Sequence, residues 1–384
     1  MTRRTLTGVG LAVVMALVAS GGTRPDAAEA WDAAAAARYL DARMDLWWAK
    51  AKPLKTGGGT TTCLSCHTAI PYALARPVLR MAMGVAEPTA HEARIQETLR
   101  LRVEHLGDEA PYYDHTEAKK TESAGVEAVT AAWILTRTDT LGRSALPSAT
   151  TRRAMARLWA VQRPDGAWDW LDFGLEPYET ADAAFHGATL AAMAAGSTPG
   201  RAASTDASGR AGIDRLRAYL HDRLPSQRRF NKVWALMASA GFSGIVTAPE
   251  RDALVRDLES VQRADGGWSL ADLGEWHWSK AAGPYAAPGA TDGALLAASD
   301  AYATGLVVHA LREVGRTSAD AAVARGQSWL RAHQVAGQAD DPAWAPWRSH
   351  SLNFDREHGG DKGEPWRRMF MSDMATAFAV LALR

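Results

Sequence analysis

Two kinds of helical segment alternate along most of this 384-residue chain. Apolar side chains recur at spacings of three and four, which is typical of helices. One kind, such as residues 152–158 and 251–256, is amphipathic and carries a charged face, whereas the other, such as residues 183–195 and 374–383, is apolar nearly all round. A helix that is apolar on every side has to be buried, while an amphipathic helix buries only one face. The alternation therefore predicts outer helices paired with inner ones.

The alternation gives six predicted pairs, each an outer helix followed by an inner helix. In chain order the pairs are 31–51 with 71–83, 91–106 with 121–137, 149–161 with 179–195, 212–222 with 226–240, 250–261 with 299–314, and 319–332 with 372–384. No single pair can cover its own inner helix, so the pairs have to assemble around a common core. We therefore predict an all-α fold, an (α/α)6 toroid formed by one domain over residues 31–384.

The predicted connections from outer to inner helices are much longer than the return connections. The long ones cover residues 107–120, 162–178, 262–298 and 333–371. They all lie at the rim where the inner helices begin, and the positive ends of those helix dipoles point to the same place. This elaborated rim is the expected location of a functional site.

The only two cysteines of the chain, Cys63 and Cys66, stand in a C-x-x-C-H pentapeptide that ends at His67. This spacing is typical of covalent c-type haem attachment, in which both thiols join the porphyrin and the histidine binds the iron. A local disulfide or redox dithiol remains an alternative, although it would favour a βαβ context, and a zinc site would need two more ligands at motif spacing. We predict one covalent haem c per chain, held by these three residues.

The first thirty residues have the pattern of a secretory signal peptide. Arg3 and Arg4 precede an apolar run over residues 9–18, and small residues follow at 19–21 and again at 28–30. We therefore expect residues 1–30 to be removed and the mature protein to be periplasmic or secreted, with no integral membrane span. Because 43 basic residues balance 43 acidic ones, nucleic acid is not an expected partner.

Three of the long connections begin with a related sequence. It reads QRPDGAW at 162–168 and QRADGGW at 262–268, with a degenerate copy over 333–344 that ends at Trp344. These stretches resemble the Q-x-x-D-G-x-W repeats of squalene-hopene cyclases in the prenyltransferase and terpene-cyclase toroid superfamily, and the resemblance implies a toroid. From the residues themselves we expect the Gln to bond backbone groups at the N-terminus of the next helix, the Asp-Gly to form a tight turn, and the Trp to pack between helices, so that each repeat ties an outer helix to an inner one.

The resemblance does not extend to terpene cyclisation. Those cyclases protonate their substrate with a D-x-D-D-type acidic cluster and contain two toroids, whereas this chain has no such cluster and is long enough for one. The zinc set of the prenyltransferases also requires a cysteine, and both cysteines here belong to the C-x-x-C-H sequence.

Candidate acid–base residues stand at the start of the third inner segment. Glu179, Asp182 and His186 are spaced i, i+3 and i+7, which predicts one helix face and an Asp182–His186 acid–base pair. A simpler alternative is that Asp182, like Asp300 and Asp373, lies in the first turn of an apolar helix, where capping and complementation of the helix dipole explain it.

A sixth ligand for the haem iron is expected from the neighbours of the first pair in a closed ring. The candidates are Met371, beside the last inner helix, and His115, in the second long connection. The leading functional hypothesis is electron transfer to or from a redox partner protein or a substrate in the toroid cavity, which would include a haem-dependent oxidoreductase. The alternatives are a haem-bearing sensor of a small apolar or gaseous ligand, and a glycan hydrolase or lyase with Glu179 or Asp182 as its acid.

Overall fold

A computed structural model describes residues 30–64, 66–198, 207–276, 290–353 and 365–384. The predicted signal peptide, apart from its last residue, lies outside these ranges. Over the described residues the chain is mainly helical, and its strands are short. The predicted all-α class is therefore confirmed.

Helices make up most of the described chain, and a few short strands interrupt their order. The helices are α1 Ala33–Lys50, α2 Ala69–Ala82, α3 Ala90–Glu104, α4 Glu117–Leu141, α5 Ala149–Ala160, α6 Ala184–Ser197, α7 Ala207–Arg223, α8 Arg229–Ser239, α9 Ala248–Ser260, α10 Leu270–Leu273, α11 Ala290–Ala297, α12 Ala301–Glu313, α13 Ala321–Ala332 and α14 Phe370–Leu383. The strands are β1 Pro53–Thr56, β2 Gly59–Thr62, β3 Trp268–Ser269 and β4 Ser299–Asp300, paired antiparallel as β1 with β2 and β3 with β4.

Two kinds of helix are present, as the sequence pattern predicts. Every residue of α14 is buried, whereas α9 buries only Val255 and Leu258. In the described part of the chain the helices α2, α4, α6, α8, α12 and α14 each contact the next in that order, and α14 contacts α2. Each amphipathic helix packs against one of these buried helices: α1 against α2, α3 and α5 against α4, α7 against α6, α9 against α8, and α13 against α12.

The glutamine that opens each intact repeat connects one amphipathic helix to the next amphipathic helix. Gln162, which follows α5, donates through Nε2 to the carbonyl of Gly212 in α7 at 3.0 Å. Gln262, which follows α9, donates in the same way to the carbonyl of Ala322 in α13 at 2.9 Å. The expectation that each glutamine bonds the next helix along the chain, and so ties an outer helix to an inner one, is therefore wrong for these interhelix bonds.

The turn and the tryptophan of each repeat have their predicted roles. Gly166 and Gly266 have φ values of +98° and +96°, a left-handed conformation that favours glycine. Trp168 and Trp268 are fully buried, and their Nε1 atoms donate to carbonyls in the preceding helix at 2.9 and 2.8 Å. Each tryptophan thus fixes its loop against the helix from which the loop departs.

The degenerate third repeat has the same geometry with a different tryptophan. Gln334 follows α13 and makes two hydrogen bonds with Asp32, the N-cap of α1. Its side chain accepts from the backbone N of Asp32 at 2.6 Å and donates to the carbonyl of Asp32 at 2.9 Å. Trp347 is buried and donates to the carbonyl of Leu330, four residues before the glutamine, as in the intact copies. Trp344, which the sequence pattern assigned to the repeat, bonds instead to Val335 within the loop.

Two local features of the structure differ from what the sequence led us to expect. The third inner helix does not start at residue 179, since α6 begins at Ala184. The residues before it form a compact loop in which Leu175 and Glu179 exchange two backbone hydrogen bonds of 2.9 Å, and this pairing uses the groups that a helix would need. The hairpin of β1 and β2 was also unpredicted, and it leads directly into the C-x-x-C-H sequence.

Candidate functional site

The C-x-x-C-H loop lies between β2 and α2 and is held on both sides. Trp47 of α1 donates through Nε1 to the carbonyl of Cys63 at 3.1 Å. At the other end, Thr68 donates through its hydroxyl to Asp373 of α14 at 2.7 Å. These bonds place the loop at the N-terminal ends of α2 and α14, the end of the helices where the sequence predicts an elaborated rim.

Both cysteines are half-buried free thiols, and Cys66 packs against the core. Burial, together with the neighbouring thiol of Cys66 and the carboxylate of Glu179, raises the pKa of Cys63 well above its usual value. Burial and Glu179 raise the pKa of Cys66 in the same way. A redox dithiol needs a lowered thiol pKa, because the thiolate is the nucleophile. The surroundings therefore favour unreactive, protonated thiols over a thioredoxin-like pair.

The imidazole of His67 is buried in an aromatic environment and is only 3% exposed. Phe370, the first residue of α14, stacks on it with ring centroids 4.9 Å apart and planes 4° from parallel. Tyr178, in the loop before α6, meets it edge to face at 5.4 Å. The three side chains come from distant parts of the sequence and fix the plane of the imidazole.

Glu179 is the nearest acidic group to this histidine among the described contacts. Its Oε1 lies 3.9 Å from Nε2 of His67, which is longer than a hydrogen bond. Glu179 belongs to the loop before α6 and reaches the motif because of the loop's backbone pairing with Leu175. The prediction that Glu179, Asp182 and His186 share one helix face is wrong, since α6 starts after the first two.

Asp182 and His186 do not form the predicted acid–base pair. Asp182 is 58% exposed on its side chain and forms an ion pair of 3.0 Å with Arg228. His186 is buried among aromatic rings, the nearest being Trp234 at 4.6 Å. Burial, and then the positive charge of Arg228, lowers the pKa of His186 to about 3. His186 is thus a neutral core residue near neutral pH.

The capping alternative holds for only one of the three aspartates. Asp300 is the N-cap of α12, and its Oδ1 accepts from the backbone of Tyr302 and Ala303 at 2.8 and 3.1 Å. Asp182 precedes the N-cap of α6 without capping it. Asp373 lies in the first turn of α14, as predicted, but its carboxylate bonds side chains and does not cap the helix.

A buried network around Asp373 supports the C-x-x-C-H loop. Its carboxylate accepts from Nε of Arg43 at 2.6 Å, from the hydroxyl of Tyr39 at 2.7 Å and from Thr68. Burial and the carboxylate raise the pKa of Tyr39, so its hydroxyl remains a donor. Since Thr68 follows His67 directly, the network ties α1 and α14 to the residue next to the imidazole.

The two candidates for a sixth iron ligand differ in burial. Met371 is buried in the first turn of α14, next to the Phe370 that stacks on His67. His115 is exposed and packs edge to face against Tyr113 at 6.4 Å. Burial and the neighbouring Cys63 raise the pKa of Tyr113 above its usual range, so Tyr113 lies close to the thiols. Either residue as an axial ligand stays a prediction.

Sequence reasoning missed the aromatic partners of the imidazole and the role of Asp373. Phe370 precedes Ser372-Asp373, which parallels Ser299-Asp300 at the start of α12, and this parallel was the one signal in the sequence. Nothing in the sequence around Tyr178 indicates that this residue contacts the imidazole of His67.

No group of three or more His, Cys, Asp and Glu side chains within the described residues is arranged to hold a metal ion by itself. In the same residues, no helix combines the length and the apolar character needed to cross a membrane. Comparison with protein-family models and with curated proteins gave no match for this chain.

Proposed function

We propose that this chain is an exported c-type haem protein that transfers electrons to or from a partner protein or a substrate. The haem would be joined to Cys63 and Cys66 and bound through Nε2 of His67. The observation that carries the proposal is the only cysteine pair of the chain, in C-x-x-C-H spacing, with both thiols free and the histidine buried beside them.

The surroundings of the loop fit a porphyrin. Cys66 packs against the core, and the rings of Phe370 and Tyr178 contact the histidine, so the site offers apolar and aromatic contacts of the kind a haem prefers. Attachment would add each thiol across a vinyl group, with S–H and C=C becoming C–S and C–H. Glu179 brings a carboxylate near Nε2, and a charge so close to the ligand influences how a histidine binds a metal.

We further propose that the helices form an (α/α)6 toroid with this site at one mouth. The closed series of contacts from α2 to α14 and back to α2 supports a ring. The bond between Gln334 and Asp32 supports it independently, since it joins the last amphipathic helix to the first as Gln162 and Gln262 join their neighbours.

The chain's own residues would hold and insulate the cofactor. A bound haem supplies one-electron chemistry. Phe370 and Tyr178 orient the imidazole, and the Asp373 network fixes the adjacent Thr68, so that the ligand changes position little between redox states. The hydrolase alternative has no comparable support, because Asp182 is paired with Arg228 and His186 is buried.

The cofactor is tested by expressing the chain with its leader in a bacterium equipped for c-type haem maturation. We expect periplasmic recovery, cleavage before residue 31, a mass increased by one haem, and colour that stays with the denatured protein in acidic organic solvent. Cys63→Ser with Cys66→Ser should remove the haem, and each single variant should retain it through one bond. Release of all haem from the denatured wild type would refute covalent attachment.

Electron transfer is tested on the same material. The haem should be reduced by dithionite, be reoxidised by a soluble acceptor, and titrate as one electron per chain. A haem that binds carbon monoxide when ferrous, or nitric oxide in either redox state, and exchanges electrons with no acceptor would support the ligand sensor instead.

A further inference from the structure

A cavity lies at the opposite ends of the buried helices from the C-x-x-C-H loop. Its volume is about 300 Å³, and all six buried helices contribute to its wall. The contributing side chains are Leu74 of α2, Trp133 of α4, Met193 of α6, Trp234 of α8, His309 of α12 and Phe378 of α14. Residues of the last turns, such as Ser197 and Glu313, form its mouth, whereas the C-x-x-C-H loop lies where α2 begins.

Part of the wall of this cavity is aromatic. The rings of Trp133 and Trp234 meet edge to face at 6.3 Å, and Trp234 meets Phe378 in the same way at 5.5 Å. Such a surface suits the hydrocarbon part of a ligand, and the volume lies at the small end of the range of about 300–1,000 Å³ for ligand pockets.

The mouth, in contrast, carries positive charge. Arg137 projects into the cavity from α4 and donates to the carbonyl of Leu74 at 3.3 Å, while its Nε is buried without a hydrogen-bond partner among the described residues. An adjoining cavity of about 460 Å³ shares Arg137 and His309 with the first and adds Arg312 and Arg316. A buried guanidinium with an unsatisfied donor is costly unless an anion accepts from it.

The neighbouring titratable groups do not supply that anion. Glu313 is the acidic residue of the lining, but its side chain is half-exposed and its carboxylate lies 3.7 Å from Nδ1 of His309 without an ion pair to Arg137 in the described structure. Burial and the nearby arginines lower the pKa of His309 to about 3, so it is neutral near pH 7. Arg312 donates to the carbonyl of Ala382 at 2.9 Å and retains its charge at the mouth.

We propose that this cavity binds a small amphiphilic carboxylate, with its hydrocarbon body among the aromatic side chains and its carboxylate on Arg137. The arrangement matches such a ligand at both ends, because a partly unsatisfied arginine reaches the aromatic side chains, and Arg312 of the adjoining cavity lies nearby. The site is separate from the proposed haem site and does not depend on it.

The test is calorimetric titration of the full-length mature protein with octanoate, and with 1-octanol and octylamine as probes of the same length. We expect octanoate to bind with one site per chain and to raise the unfolding temperature, and both other probes to bind at least tenfold more weakly. Arg137→Met should weaken octanoate binding at least tenfold, the effect of losing a charge-assisted hydrogen bond, whereas Arg137→Lys should retain part of the affinity.

Arg100→Met provides the matched control, because Arg100 lies on the surface of α3 in ion pairs with Glu97 and Glu104. This variant should bind octanoate as the wild type does. Circular dichroism establishes that each variant is folded, and Arg137→Lys carries the test if Arg137→Met is not. Equal binding of octanoate and octanol, unchanged affinity in the folded Arg137 variants, or no binding of octanoate at millimolar concentration would each overturn the proposal.

Discussion

Replacing Asp373 with alanine should destabilise the protein by about 3–5 kcal/mol, the cost of leaving a buried charge without its partner. The side chains of Arg43 and Asp373 are 8% and 1% exposed, and the carboxylate accepts from Nε at 2.6 Å and from Nη2 at 3.1 Å. Asp373→Ala removes both bonds and leaves the buried guanidinium of Arg43 without its carboxylate partner. Denaturant unfolding followed by circular dichroism measures the loss.

Asp257→Ala is the matched control, since it breaks a similar two-bond contact with Arg229 at the surface, where the side chains are 42% and 29% exposed. An exposed ion pair is worth only about 0–1 kcal/mol, so this variant should be nearly as stable as the wild type. Combining Asp373→Leu with Arg43→Met should recover much of the loss, because no buried charge remains. If Asp373→Ala costs no more than Asp257→Ala, the view that burial sets the strength of this contact is wrong.

Three further predictions concern the fold, the haem and pH. Trp268→Ala should destabilise by about 3–5 kcal/mol and leave the haem spectrum of the folded fraction unchanged, whereas a stable variant with an altered spectrum would place Trp268 beside the haem. If the ferric haem is low-spin, Met371→Ala or His115→Ala should make it high-spin, and absorption spectra of both variants decide between them; no change in either would exclude both as ligands. Because the pKa values of His186 and His309 are lowered to about 3, the unfolded chain binds more protons below pH 6.5. Stability should therefore fall as pH decreases from about 6.5 to about 3, by about 1.4 kcal/mol per pH unit for each histidine. His186→Phe should remove the contribution of one histidine, and so lower the slope of unfolding free energy against pH by about 1.4 kcal/mol per pH unit.

Local pattern predicted the helices well where burial alone decides the structure. The fifth helix begins at residue 149 as expected, and α14 is as fully buried as its composition implies. The start of α6 was wrong because the preceding loop is held by distant residues. Asn353 accepts from the backbone N of Glu176 and donates to its carbonyl at 2.9 and 2.8 Å, and Arg228 pairs with the Glu176 carboxylate at 3.0 Å. Periodicity over a short window carries no information about such contacts.

In the candidate site, too, neighbouring residues could be predicted from the sequence and distant ones could not. Cys63, Cys66 and His67 are contiguous, so their spacing could be read directly from the sequence. The residues that surround the imidazole could not, because Tyr178 and Phe370 join it from far along the chain. The expected Asp182–His186 pair failed for a related reason, since helical spacing predicts a shared face only if the helix has begun.

The stacking of Phe370 on His67 has a consequence for the order of events during biogenesis. A contact between residues about 300 positions apart in sequence forms late, because closing so long a loop is entropically slow. On the proposed export route, residues 63–67 would emerge long before α14. The two thiols would then stay accessible to an attachment enzyme until α14 packs against the motif, and this packing would bury the imidazole of His67. Slow closure of the last helix would thus serve as the interval in which the cofactor is joined to the chain.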